Sequence, residues 1–463
     1  MYVRCITFVL IIICALAQSG RVAAENHFPG AEWEHVTPVE SGWSQAELAR
    51  ARAFSDEIRS SAVMIVQHGK VVAEWGNTTK RTELASVRKS LLSALIGIAV
   101  TEHLIKLDST VGELGIDDNP PNLTEAEKGA TVRQLLQARS GIYHSALYET
   151  PAMAAQRPPR GSHAPGTFWY YNNWDFNALG SIYERATGVG IFEAFDRLIA
   201  RPIGMQEYRA KDGVYFRGKD SIHPAYPIRM SARDLARFGL LYLHKGNWAG
   251  KQIVPRDWVE ESTRSYSPSG FGSGYGYLWW TGFLDGSFAP TVKLPEDSIS
   301  ARGAGGQYAF VFPSLDLVVV HRVDRDLVNS VPEPTARSIA RLLWLILKAS
   351  GYDPGPDASI AAATGDRPTG DELTKRVEGK TFSFGAKAKG GPFEIRLEPE
   401  GGLTYLRWDR SLGPETGTWT VEGEQLCLLR AVSRCYLPVL SGESMQLFDE
   451  YGVMQLDATA RTQ

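Results

Sequence analysis

The sequence predicts an α+β protein: an antiparallel sheet assembled from two distant stretches of chain and flanked by helices, with a helical subdomain between them. A small all-β module follows at the C-terminal end. Three observations carry this expectation. A hairpin pattern at 62–75 implies an antiparallel pair. A helix-rich middle runs from about 105 to 265, and strand signals return between 277 and 323 ahead of a last helix.

The first residues read as a leader. Arg4 supplies a positive charge, Ile6 to Ala17 is almost wholly apolar, and small residues follow at Ala15-Leu16-Ala17 and Val22-Ala23-Ala24. That is the form of a signal peptide over residues 1–24, too short to span a bilayer, so the protein is expected to be exported, periplasmic or secreted. Ile13 before Cys14 is the wrong residue for a lipoprotein signal. No other apolar run reaches spanning length, so no stable membrane span is expected. The 463 residues exceed one compact core and suggest two domains. A net charge of -3, without a dense Lys/Arg run, excludes nucleic acid as an expected partner.

The larger domain is expected over residues 25–350. Trp43 to Ser60 reads as an amphipathic helix with Ser44 as N-cap. Ala62-Val63-Met64-Ile65-Val66 and Val71-Val72-Ala73-Glu74-Trp75 flank a His-Gly turn and make the hairpin. Ser86 to Leu104 is helical and apolar through Leu91, Leu92, Leu95, Ile96, Ile98 and Val100, as befits a central helix. Further helices are expected at Thr131 to Ala138, Asn177 to Ala186, Ile191 to Ala200 and Ser231 to Leu243. Strands are expected at Tyr277 to Trp280, Tyr308 to Phe312 and Leu317 to Val323, and a helix from Glu333 to Ala349 closes the domain. Residues 351–370, rich in Pro, Gly, Asp, Ala and Thr, mark a linker. The β module spans 371–463, where Phe393 to Leu397 and Thr418 to Val421 alternate. Cys427 and Cys435, eight apart, are expected to pair as a disulfide in an exported protein, with two buried free thiols as the alternative.

Three segments carry chemistry. Ser86-Val87-Arg88-Lys89 is the one Ser-x-x-Lys in the chain. Its position at a helix start puts Lys89 one turn on, on the same side as Ser86. A serine hydroxyl is a poor nucleophile until a base removes its proton, and a neighbouring amine in a dry site can assist. A capping serine followed by a surface lysine would give the same four letters. In Pro165 to Trp174, a tyrosine and an asparagine two apart precede a helix. The phenol is a useful base only beside cations such as Lys89, and the asparagine amide can orient an acyl chain and bond the lysine. An aromatic packing loop reads equally well. Ala301 to Gln307 places glycines at a strand edge, where a backbone or ligand can come close, or where a hairpin simply turns.

Together the three segments resemble the serine β-lactamase and penicillin-binding-protein superfamily, within it the class C β-lactamase and esterase branch. Ser86-x-x-Lys89 is similar to that family's first motif and Tyr171-Asn172-Asn173 to its Tyr-x-Asn motif. The distances from Pro165-Gly166 and to Leu179-Gly180 select Tyr171 over Tyr170. Leu135 to Gly141, Met230 to Leu235 and Gly274 to Trp280 also resemble the family, so the likeness covers about 45 to 345. The third motif departs from it: Ala301-Arg302-Gly303 stands where members usually carry Lys-Thr-Gly or His-Thr-Gly. The Gly303-x-x-Gly306-Gln307 pattern resembles the aminohexanoate-oligomer hydrolases and related esterases.

The resemblance implies a β-lactamase/DD-peptidase-like fold. It further implies Ser86 as nucleophile, Lys89 and Tyr171 as its activators, with Tyr171 taking the proton, and the Ser86 and Ala304 amides as oxyanion hole. Asn173, Gly303, Gly306 and Gln307 are expected to bind substrate. The expected reaction is acyl transfer on a small ester, an amide or a cell-wall peptide, with esterase or amidase ahead of D-alanyl-D-alanine carboxypeptidase or β-lactamase. A non-catalytic, penicillin-binding-like ligand-binding protein is the reading from another class. Losing the third-motif lysine removes a carboxylate anchor and weighs against β-lactams. No cofactor is expected, and the nine histidines show no metal-ligand spacing. Trp169, Trp174, Trp279 and Trp280 can form an aromatic wall or pack the core.

Overall fold

The computed structural model describes residues 27–463 apart from 269–272, 283–286, 290–291, 328–333, 358, 360–361, 385–392, 408–413, 430–433, 450–453 and 462–463. The expected signal peptide lies outside the described residues.

An eight-stranded antiparallel sheet organises the larger part of the chain. Its strands are β1 (Ala62–Gln67), β2 (Lys70–Gly76), β3 (Ser267–Pro268), β4 (Ser273–Tyr275), β5 (Trp280–Gly282), β6 (Ile299–Gly303), β7 (Gln307–Phe312) and β8 (Leu317–Arg322), in the order β2-β1-β8-β7-β6-β5-β4-β3. The β1–β2 turn is His68-Gly69, both at positive φ (50° and 72°), which matches the twist of a two-residue hairpin. β8 closes on β1 with Met64 opposite Val320, so the two ends of this region meet in the sheet as expected.

Side-chain alternation buries both faces. Met64, Val66, Val318 and Val320 point to one core; Val63, Ile65, Leu317 and Val319 point to the other. The second core is covered by α1 (Gln45–Glu57) and α5 (Ala336–Ala349). The first is covered by α2 (Arg88–Thr101), α4 (Ala232–Leu243) and the helical insertion, which contains α3 (Asn173–Thr187). Two covered faces explain why these strands read as near-continuous Val/Ile/Leu runs.

Two expectations need correction where they bear on the site. α3 begins a turn earlier than expected, because the Asn172 side chain accepts from the Asp175 N–H and caps it. Asn173 is therefore a helix residue, not a loop residue. The strand expected at Tyr277 to Trp280 starts only at Trp280. Leu278 has φ +63°, and the Gly276, Tyr277 and Leu278 amides bond Trp279, Ser262 and Leu136, so this segment turns instead of extending.

Beyond α5, residues 351–370 are fastened at several points. Pro354 accepts from the Lys293 amide, Asp357 pairs with Arg341, and Asp366 bridges to Leu440. α6 (Gly370–Val377) then plugs a closed antiparallel barrel of β9 (Thr381–Phe384), β10 (Phe393–Leu397), β11 (Gly402–Arg407), β12 (Glu415–Glu422), β13 (Gln425–Leu429), β14 (Arg434–Ser441), β15 (Ser444–Phe448) and β16 (Met454–Arg461). Cys427 and Cys435 sit opposite each other on β13 and β14 and are joined as a disulfide. Among the described residues no helix is long and apolar enough to cross a membrane.

Candidate active site

Ser86 stands in a 3₁₀ turn, Ala85–Val87, that runs straight into α2. Ala85 has φ +47°, an uncommon conformation for a residue with a Cβ, and it turns the chain so that the partly exposed Ser86 faces a cleft. One helical turn later Lys89 is 2% exposed, with Nζ 2.7 Å from Ser86 Oγ and 2.8 Å from the Tyr171 hydroxyl. The Tyr171 and Phe176 rings lie 4.7 and 4.9 Å from the same nitrogen. Three groups from two separate segments thus converge, as the spacing within each segment expected.

Burial acts on both titratable members of the trio. Removal from water disfavours a charge, so Lys89 is pushed well below the usual ammonium range, first by burial and then by the Arg88 charge. The same burial pushes Tyr171 up to about 12. Both shifts work against charge on the pair: burial disfavours the ammonium of Lys89 and the phenolate of Tyr171. The sequence leads to Tyr171 as the expected proton acceptor; the upward shift of the phenol weighs against that role and the downward shift of the amine favours Lys89.

The third segment is a tight hairpin turn, Ala304-Gly305-Gly306, closed by Gly303 opposite Gln307. Gly303 is demanded by contact: a Cβ there would lie 2.5 Å from the Leu84 carbonyl oxygen and 3.0 Å from the Ser86 nitrogen. β6 thus presses directly on the turn that presents Ser86. Ala304 is exposed beside it, and among the described residues no acceptor takes its N–H. Ser86 and Ala304 line one cavity of 610 Å³.

Gly306 and Gln307, expected to bind substrate, do not reach that cavity. Gly306 is packed against Val323 and Pro334, and its carbonyl accepts from His321. Gln307 is fully buried; its amide donates to the Gly305 and Val323 carbonyls and accepts from Arg322. Both shape the turn. Asn173 does line the cavity, yet its Nδ2 donates to the Tyr148 carbonyl at 2.5 Å instead of bonding Lys89.

The four tryptophans divide. Trp280 stacks on Tyr171 (5.6 Å, 29°) and Trp169 meets it edge-on (6.2 Å), a wall behind the phenol. Trp174 and Trp279 are completely buried, one bonded to Asp118 and the other stacked on Phe238. Arg302 lies over the Trp280 ring at 4.9 Å and bonds Ser300.

The rest of the cavity escaped the sequence reading. Glu83, on a two-residue strand, accepts the Tyr148 hydroxyl and joins Phe216, Asp220 and Arg325 from separate segments that share no local period. Their one sequence-level signal was an exposed aromatic in a polar stretch. Among the cavity-lining residues none comes from the barrel.

Comparison with known proteins agrees with this geometry. Residues 46–348 match the beta-lactamase family. The chain is 24% identical over 321 residues to the 6-aminohexanoate-dimer hydrolase of Paenarthrobacter ureafaciens, covering 61% of this chain and 75% of that one. It is 22% identical over 271 residues to esterase EstB of Burkholderia gladioli, covering 50% and 66%. Among solved structures, the octameric penicillin-binding protein homologue from Pyrococcus abyssi shares the fold with a TM-score of 0.52 at 18% identity, over 90% of this chain and 99% of that one. With the matched region spanning well over half of the sequence, this chain belongs to the beta-lactamase family.

Proposed function

We propose that the chain is an exported serine hydrolase that cleaves esters or amides through an acyl-enzyme on Ser86. The observation that carries this reading is the contact of Lys89 Nζ with both Ser86 Oγ and the Tyr171 hydroxyl. Export rests on the leader pattern of residues 1–24.

The neutral Lys89 amine accepts the Ser86 proton as Oγ bonds to the substrate carbonyl carbon. The resulting oxyanion lies between the Ser86 and Ala304 N–H groups. On collapse the carbon–leaving-group bond breaks, and the leaving group takes its proton from Lys89 through the Tyr171 hydroxyl. Water then loses a proton to the same amine, attacks the acyl carbon, and releases the acid and the free serine.

Two features favour an esterase or amidase over a β-lactamase. The related enzymes named above act as an esterase and an aminohexanoate-dimer hydrolase. Arg302, the cation nearest the missing motif lysine, is engaged by Trp280 and Ser300 instead of standing ready for a substrate carboxylate. The test is parallel turnover of a p-nitrophenyl ester, a linear amide and a chromogenic β-lactam by the mature protein and Ser86→Ala. The expected result is ester or amide turnover that falls by about 10³-fold or more in the variant. Activity that survives the substitution sinks the assignment.

A further inference from the structure

The first turn of α2 buries a second cation for which the reaction above has no task. Arg88 is 1% exposed. Its Nη1 donates to the Ala85 carbonyl at 3.1 Å, and its guanidinium carbon lies 5.2 Å from the Tyr148 ring centre and 5.0 Å from that of Tyr226. Among the described residues Nε and Nη2 have no hydrogen-bond partner and no carboxylate pairs with the side chain. A buried cation without a counter-ion is strongly unfavourable, as is a positive φ at a residue with a Cβ. Here both occur within three residues of the same serine, and one hydrogen bond joins them.

We propose that Arg88 is a positioning residue: it clamps the strained turn that presents Ser86 and fixes a positive charge beside the Lys89 amine. The assignment rests on the serine-hydrolase reading. The geometry is specific. Two tyrosine rings lie about the guanidinium, and its Nη1 reaches the carbonyl of the residue in the turn whose φ is positive. Arg88 is also the charge that depresses Lys89 after burial itself. Other groups around the amine are Ser86 and Tyr171 in contact, Phe176 from α3, and, behind Tyr171, Tyr275 and Trp280 from β4 and β5. Tyr226 faces Arg88 from the segment before α4. Glu83 accepts the hydroxyl of Tyr148, and Asp175 in the first turn of α3 is a buried carboxyl pushed up to about 8.

The experiment is kcat/KM against pH for a p-nitrophenyl ester with the wild type, Ser86→Ala, Arg88→Gln and Arg88→Lys, with thermal melts alongside. Glutamine keeps a donor for Ala85 and loses the charge; lysine keeps the charge and loses the fork. Arg88→Gln should move the acidic limb about one pH unit upward, because a higher pH is then needed to free the amine. Arg88→Lys should return the limb to its wild-type position while kcat stays reduced and KM changes little. Asp175 is common to all variants, so its titration does not separate them. An Arg88→Gln limb that overlays the wild type overturns the proposal. If Arg88→Gln does not fold, Arg88→Lys decides: a limb at the wild-type pH sustains it and a displaced limb overturns it. Activity in Ser86→Ala would remove the serine-hydrolase reading itself, a separate failure.

Discussion

The sheet region and the barrel are both closed around apolar cores, but they treat charge differently. The first buries Arg88, Lys89, Asp175, His321 and Arg322, and leaves Arg88 nitrogens and an Asp175 oxygen without partners. Among the described residues the barrel buries no charged or polar side chain; its interior is Leu426, Leu447, Phe382, Phe384, Trp419 and similar residues. Burying an unpaired polar group is unfavourable to folding, so a region that retains several is holding them for another reason.

The contrast can be broken most sharply at Lys89. Lys89→Met removes a buried amine and leaves a side chain of similar length, so ester turnover should fall by about 10²–10⁴-fold. The melting temperature should hold or rise, because methionine suits the dry site better. A large loss of stability with modest loss of rate would make Lys89 a structural group and erase the distinction.

The converse substitution lies in the barrel. Leu447 on β15 is fully buried, and Leu447→Ala should destabilise the barrel by about 2–5 kcal/mol through lost burial and a cavity. Since none of the cavity-lining residues is in the barrel, kcat/KM measured well below the melting temperature should not move. A parallel fall in turnover would show that the barrel supports the site.

Asp175 sharpens the comparison within the sheet region. Burial raises it from 3.8 to about 8, against the stabilising bond from Ser140. Below pH 3.8 the carboxyl is neutral in both states. Between there and about 8 the unfolded chain releases a proton that the folded one keeps, so this group's contribution to stability is lost progressively as pH rises. Asp175→Asn should flatten that decline and be more stable than the wild type at pH 8, read from urea melts at pH 5 and 8. Two parallel stability–pH curves would show that the carboxyl is not held neutral.

How much was legible follows from how local each signal is. Ser86 and Lys89 are one helical turn apart, so their meeting is written in the spacing, and Gly303 was readable as a point of close approach. The α+β order was also readable, because hairpin and helix periods are local. Gly306 and Gln307 misled because glycine and glutamine serve a tight turn as readily as a ligand. The acidity of Tyr171 was not legible, since the burial that pushes its phenol up comes from packing against α2, α3 and β5. Arg88 stood inside the recognised motif and was passed over: an arginine in an apolar helix reads as a surface residue until Tyr148 and Tyr226 are seen on either side. Glu83, Phe216 and Asp220 share a wall only through the pairing of Thr82–Glu83 with Arg229–Met230 and the folding of loops onto it.

Arg322 has a consequence for the motion of the site. It holds Gln307 at the base of the oxyanion turn with one nitrogen, and with another it holds Thr82 and the Glu83 carbonyl on the approach to Ser86. The two N–H groups that would face a substrate oxygen are therefore tethered to one rigid planar ion. A displacement of either segment therefore pulls on the other through that ion.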